Sequence, residues 1–190
     1  MGVRNCAQVC IIAKDGIDLF IVTMEEATMS NFADRLIDAI RRCGHPLCVG
    51  LDPHLTLIPK PFRVGSMSPT APETAESVEK FLLAVLDRIA GRVSSVKPQV
   101  AFFEQLGWRG IKVLEHIIAT AKSHNLIVIL DVKRGDISST TEAYASAYLD
   151  AGAFAEADAI TVNPYLGLDS LEPFVTRCTN GGKGVFVLVK

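Results

Sequence analysis

The sequence predicts an α/β protein, a (β/α)8 barrel of the TIM class with about five βα units present in 190 residues. Three observations predict it. Strand-like and helix-like segments alternate from Ser30 onward, the strand-like ones are rich in Val, Ile and Leu, and charged or amide side chains recur at their C-terminal ends. Repeated βα units give either an open doubly wound sheet or a closed barrel. Asp52, Lys97, Asp131 with Lys133, Asn163 and Lys190 each fall at or near a different strand end, and a barrel would converge them on one site where an open sheet would spread them.

The elements follow in order. Phe32, Leu36, Ile37 and Ile40 share one helical face, and Gly44 is placed to end that helix. A strand over residues 47–51 runs into Asp52 and Pro53. Residues 54–74 are rich in Pro, Ser and Thr and form the longest irregular piece. Val78, Phe81, Leu82, Val85, Leu86 and Ile89 give the i, i+3, i+4, i+7 stripe of a helix lying on a core. A strand over 96–102 precedes a helix marked by Ile111, Leu114, Ile117, Ile118 and Ala121. The strand over 126–132 is almost wholly apolar, the pattern of a strand buried on both faces. Ser139 to Glu142 reads as a capping box, opening a helix with Tyr144, Ala147, Tyr148 and Ala151 on one side and Gly152 beyond its end. A strand over 159–163, a short helix over 168–177 and a strand over 184–190 complete the pattern.

Composition limits what such a chain does. It is 49% hydrophobic and 21% charged with a net charge of −2, so it can bury a substantial core and lacks the basic footprint of a nucleic-acid binder. Its apolar runs are far shorter than the roughly 20 residues that span a bilayer, and the patch at residues 6–13 lacks the features of a secretory signal; the expected address is cytoplasmic. Cys6, Cys10, Cys43, Cys48 and Cys178 are odd in number and irregularly spaced, reading as small buried hydrophobes rather than disulfides or zinc ligands. His54, His116 and His124 read as solvent-facing or capping residues, Trp108 as packing, and Lys60 and Arg63 as surface charges.

The run VILDVKRGDI, residues 128–137, sets charges against this apolar background. Residues two apart on a strand share a face, which places Asp131 beside Lys133, with Asp136 past Gly135 in the turn. Lys97 ends the neighbouring strand, so Lys97, Asp131, Lys133 and Asp136 can alternate in sign. Such an order makes burial tolerable, since one contact at about 4 Å is worth on the order of 4 kcal/mol at an effective dielectric of about 20.

That string, followed by Thr140, closely resembles the active-site signature of the orotidine 5′-phosphate decarboxylase family. CVGLDPH at 48–54, VKPQVAFFEQLG at 96–107, AITVNPYLG at 159–167 and GVFVLVK at 184–190 resemble successive strand ends of the same family, and KPQVAFFE resembles its longer, predominantly bacterial branch. The resemblance covers residues 29–190. It implies decarboxylation of orotidine 5′-monophosphate to uridine 5′-monophosphate in pyrimidine synthesis, with no cofactor and no metal. It further implies Lys133 as proton donor, Asp131 beside the departing carboxylate, Lys97 orienting Asp131 and reaching the ribose, and Asp52 accepting a ribose hydroxyl. Asp136, Ile137 and Thr140 would enter the site of a partner subunit in a homodimer.

Two departures from the family shape the expectations. The chain stops on its fifth expected strand, without the later segments that hold the phosphate, so residues 184–189 are expected to form an unpaired apolar edge prone to aggregation. Residues 1–28 resemble nothing in the family and read as an extension of unknown role or a start assigned too early, with 29–190 as a partial barrel domain. The alternatives are a truncated remnant without turnover, a Schiff-base aldolase with Lys133 as nucleophile, and a magnesium-using enzyme acting on sugar phosphates.

Overall fold

The computed structural model describes residues 31–189 and the backbone of residues 9–12. Among these, the strands are β1 (Val9–Ile12), β2 (Cys48–Leu51), β3 (Ser95–Pro98), β4 (Ile127–Arg134), β5 (Ala159–Val162) and β6 (Gly184–Leu188). The helices are α1 (Phe32–Cys43), α2 (Pro72–Ile89), α3 (Ala101–Glu104), α4 (Gly107–Ser123), α5 (Ser138–Leu149) and α6 (Glu172–Gly181). Among the described residues, 38–128 form one compact unit, and 9–12 and 31–37 with 129–189 form a second.

In the unit of residues 38–128, β2 pairs in parallel with β3 from Cys48↔Ser95 to Leu51↔Pro98, and β3 pairs with the first two residues of β4. The expected strand over 96–102 stops at Pro98. Proline offers no N–H to the ladder, Gln99 N–H reaches Leu51 O at 3.3 Å, and the Val100 carbonyl already accepts from Phe103 and Glu104 to begin α3. Gly110 lets α4 pack tightly behind it, since a Cβ there would lie 1.9 Å from Phe103 O. α2 starts on Pro72, a favoured first helical residue. It buries Thr74, Ala75, Ser77, Val78, Leu82 and Leu86, while Phe81, Val85 and Ile89 are only half-buried, so the inward face is rotated from the apolar stripe. The difference has a cause: Ser77 Oγ donates to Glu73 O and accepts from Val64 N, which satisfies a buried hydroxyl and ties the long loop to the helix.

The same loop is further pinned by Arg63, whose Nε and Nη2 donate to the carbonyls of Ile58 and Thr56 at 2.5 and 2.6 Å, a structural task beyond the surface role expected of it. Trp108 is also corrected. It is 69% exposed, with the Arg109 guanidinium 4.6 Å from its ring centre, because it lies on the outer side of α4, opposite Val113, Leu114, Ile117 and Ile118. His116 meets Glu79 at 2.6 Å, and the His124 backbone closes α4 on the carbonyls of Thr120 and Ala121.

In the second unit, β4 from residue 129 pairs with β5, β5 with β6 and β6 with β1, all in parallel. The expected unpaired edge is therefore paired: Val9↔Val185 to Ile12↔Leu188 run alongside it. An apolar, β-branched run such as Val-Cys-Ile-Ile has the propensity to do this. Phe32 at the head of α1 rests on Gly184, where a Cβ would lie 2.4 Å from its ring. Arg35 bonds Asp158 at 2.5 Å and Gly182 O at 3.2 Å.

α5 begins at Ser138, earlier than the capping-box reading requires, and no side-chain cap bond forms at Ile137. Residues 139–142 thus lie inside the helix, and Thr141 Oγ1 donates back to Asp136 O instead. Its buried residues are Thr141, Ala145, Tyr148 and Leu149; of the expected face Tyr148 is buried, while Tyr144 is half-buried, stacked on Tyr148 and under the Arg134 guanidinium, and Ala147 is half-buried. Arg177 on α6 ties that helix to α5 through Glu142 and Asp150, both at 2.8 Å.

Candidate active site

The chemistry-bearing residues of the second unit sit where the β4–β5 ladder breaks. Leu130 pairs with Ile160 and Arg134 with Val162, so Asp131, Val132 and Lys133 together face Thr161 alone. A bulge of this kind re-aims side chains and frees backbone groups from the ladder. Lys133 has φ +48°, a left-handed conformation that L residues rarely adopt and that costs on the order of 1–3 kcal/mol. Its ammonium donates to Asp131 Oδ1. Asp131 is 5% exposed while Lys133 opens to solvent, so a buried carboxylate holds a cation at an accessible surface.

Asp131 and Lys133 meet as expected, but through the bulge rather than strand alternation: Asp131 and Val132 are both buried, and the left-handed Lys133 folds back on its neighbour. The side chain of Thr161, which sequence reasoning passed over, receives the bulge. Its Oγ1 donates to Asp131 Oδ1 at 2.9 Å and accepts the Lys133 and Val132 N–H groups at 2.9 and 3.1 Å. The signal for it was a lone hydroxyl in the apolar run AITV, a polar group that needs partners once buried.

Asp136 does not join the pair with Lys133. Its Oδ1 accepts the Ile137 N–H at 2.7 Å at the head of α5, where a carboxylate suits the helix dipole. Ile137 is 64% exposed, and Thr140 is half-buried on the first turn.

In the unit of residues 38–128, Lys97 is half-buried near the end of β3 and registers with Gly50. Asp52 is exposed just past β2, its carboxylate folded over Gly50 so closely that a Cβ there would stand 2.6 Å from Oδ2. His54 is exposed, with its ring centre 4.4 Å from that of Phe102 and the two planes inclined at 67°.

Among the described residues, no group of three or more His, Cys, Asp or Glu side chains could hold a metal ion, and no helix is long and apolar enough to cross a membrane. Cys6 and the side chain of Cys10 lie outside the described residues.

Comparison with known proteins gives a consistent result. The family model described as "Orotidine 5'-phosphate decarboxylase / HUMPS family" matches residues 45–190. A curated orotidine 5′-phosphate decarboxylase of Rhodopirellula baltica is 48% identical over 166 residues, covering 85% of this chain and 55% of that protein. The Nocardioides sp. protein of the same name is 48% identical over 160 residues, with 84% and 55% covered. Among solved structures, a putative orotidine 5′-phosphate decarboxylase from Streptomyces avermitilis aligns with a TM-score of 0.74 and 38% identity, over 88% of this chain and 55% of that one. The Leishmania donovani OMP decarboxylase aligns with a TM-score of 0.65 and 33% identity, over 84% and 54%. These neighbours have the TIM-barrel fold expected from the βα repeat. The chain spans about half the length of the curated relatives it matches.

Proposed function

From the premise that this chain belongs to the orotidine 5′-phosphate decarboxylase / HUMPS family, we propose that it carries the catalytic half of an orotidine 5′-monophosphate decarboxylase. The carrying observation is the buried Asp131 carboxylate holding the accessible Lys133 ammonium on a strand bulge. In the reaction the bond from the ring carbon to the carboxylate breaks, CO2 leaves, and the electron pair remains on carbon with little resonance support. Lys133 Nζ offers positive charge at that carbon and then the proton that forms the new C–H bond. A cation fixed before the reaction costs no reorganisation as charge develops, the principle of electrostatic preorganisation. Asp131 fixes the ammonium and lies beside the departing carboxylate. Lys97 orients Asp131 and reaches the ribose, and Asp52 accepts a ribose hydroxyl.

Asp136, Ile137 and Thr140 serve the site of a second copy in a cytoplasmic homodimer. An exposed isoleucine beside a half-buried carboxylate at the head of α5 supports that reading. Remote binding energy from the substrate phosphate contributes to rate as well as affinity in such a reaction.

The test assays orotidine 5′-monophosphate turnover by this chain and by a chimera continued with the C-terminal half of the Rhodopirellula baltica relative. The chimera is expected to release CO2 and uridine 5′-monophosphate, with turnover abolished by Lys133→Ala and unaffected by chelator. A folded chimera without turnover, or a Lys133→Ala variant with near-normal turnover, overturns the reading.

A further inference from the structure

We infer that Thr161 is a positioning residue for Lys133, its single hydroxyl fixing both the backbone conformation and the anionic partner of that lysine. The assignment rests on the decarboxylase reading for its catalytic consequence, but its geometry stands independently.

A hydroxyl has one proton to donate and two lone pairs to accept with. Both acceptor positions of Thr161 Oγ1 are filled, by the Val132 and Lys133 N–H groups at 3.1 and 2.9 Å. Its proton is therefore left for Asp131 Oδ1, 2.9 Å away, the same oxygen that accepts from Lys133 Nζ. One buried group thus spans the whole bulge. On the backbone side it replaces ladder partners that a bulged strand loses. On the side-chain side it orients the carboxylate that aims the ammonium. Threonine suits the task better than serine because branching at Cβ restricts χ1 and keeps the hydroxyl directed. The left-handed φ of Lys133 is an unfavourable state that persists only where its surroundings over-determine it. Thr161, the only residue of β5 opposite the three bulged residues, supplies that determination.

The experiment compares Thr161→Val, which keeps shape and branching without the hydroxyl, with Thr161→Ser, which keeps the hydroxyl. In this 190-residue chain, amide hydrogen exchange at Val132 and Lys133 is expected to accelerate about tenfold or more in Thr161→Val, with Ile129 and Leu130 unchanged, and to stay within about threefold of wild type in Thr161→Ser. One-bond Cα–Hα couplings at Lys133 report the loss of positive φ in the first variant and its retention in the second. In the chimera, Thr161→Val is expected to lower kcat about tenfold or more with KM within about twofold, and Thr161→Ser to restore most of it. If Thr161→Val does not fold, Thr161→Ser decides: loss of the Lys133 coupling signature there overturns the inference. So does unchanged exchange at Lys133 in Thr161→Val, or a parallel loss across all strand amides. If the unsubstituted chimera shows no turnover while the exchange and coupling results hold, the functional reading fails and the positioning role of Thr161 stands.

Discussion

Gly135 and the Asn163 carbonyl compete for the same space: a Cβ placed on Gly135 would stand 2.3 Å from that oxygen. The two are held together because Asn163 N–H donates to Arg134 O at 2.8 Å, so neither backbone can retreat without breaking a bond. Gly135→Ala therefore forces the turn between Lys133 and Asp136 to move. The expected cost is about 1–3 kcal/mol, the range for adding a methyl group to a packed site. The urea midpoint measures it, and a variant as stable as wild type would show that the turn yields freely.

Arg35→Met removes the cation from Asp158, whose side chain is 9% exposed, and the donor from Gly182 O. Asp158 keeps other interactions, and Arg35 is itself partly solvated. The loss is therefore expected at about 1–2 kcal/mol, below that of a fully buried pair. Replacement by lysine should recover part of it in chemical denaturation.

The Cys178 thiol is pushed up to about 12 by burial, with the nearby Lys183 only partly opposing the rise. Only the thiolate reacts readily, so at pH 8 about one molecule in 10,000 presents it. A brief iodoacetamide pulse followed by peptide mapping should label the exposed Cys48 and leave Cys178 unmodified until denaturant is added.

Asp150 is held below the ordinary carboxylate value of 3.8, chiefly by a hydrogen bond from Ser146, with burial opposing and Arg177 adding a hydrogen bond and charge. A carboxyl whose folded value is depressed contributes stability that is present above its unfolded value and disappears as pH falls through the folded value. Melting temperatures taken downward from about pH 5 should therefore fall less steeply for Asp150→Asn than for the unsubstituted chain. Because the group is well solvated, the contrast should shrink further in high salt.

Much of the fold was legible because its signals are local. The continuous apolar run of β4 reported burial on both faces, Gly44 ended α1 where a left-handed residue is needed, and Pro98 marked the strand end that the reading over 96–102 overran. The errors share one origin, in polar contacts that override the apolar pattern. Tyr144 fits an inward stripe but stays half-buried under the Arg134 guanidinium, and Ser77 turns inward on α2, where it accepts the Val64 N–H of the preceding loop. The site was legible as residue types, since Asp131 and Lys133 stand out against apolar neighbours. Its geometry was not. Nothing in VILDVKRGDI announces that three residues crowd opposite one, because that depends on register with a strand about thirty residues away.

The bulge also has an arithmetical property. Between Leu130 and Arg134 the chain advances four residues while its partner, from Ile160 to Val162, advances two. Two extra residues are an even number, so the inward and outward assignments of the strand keep the same parity on either side of the insertion. A one-residue insertion would have turned every later side chain to the opposite face. The strand can therefore host a strained, chemically committed interruption without disturbing the alternation beyond it. A deletion of one residue between 131 and 133 should be far more damaging than a deletion of two, quite apart from which side chain is lost.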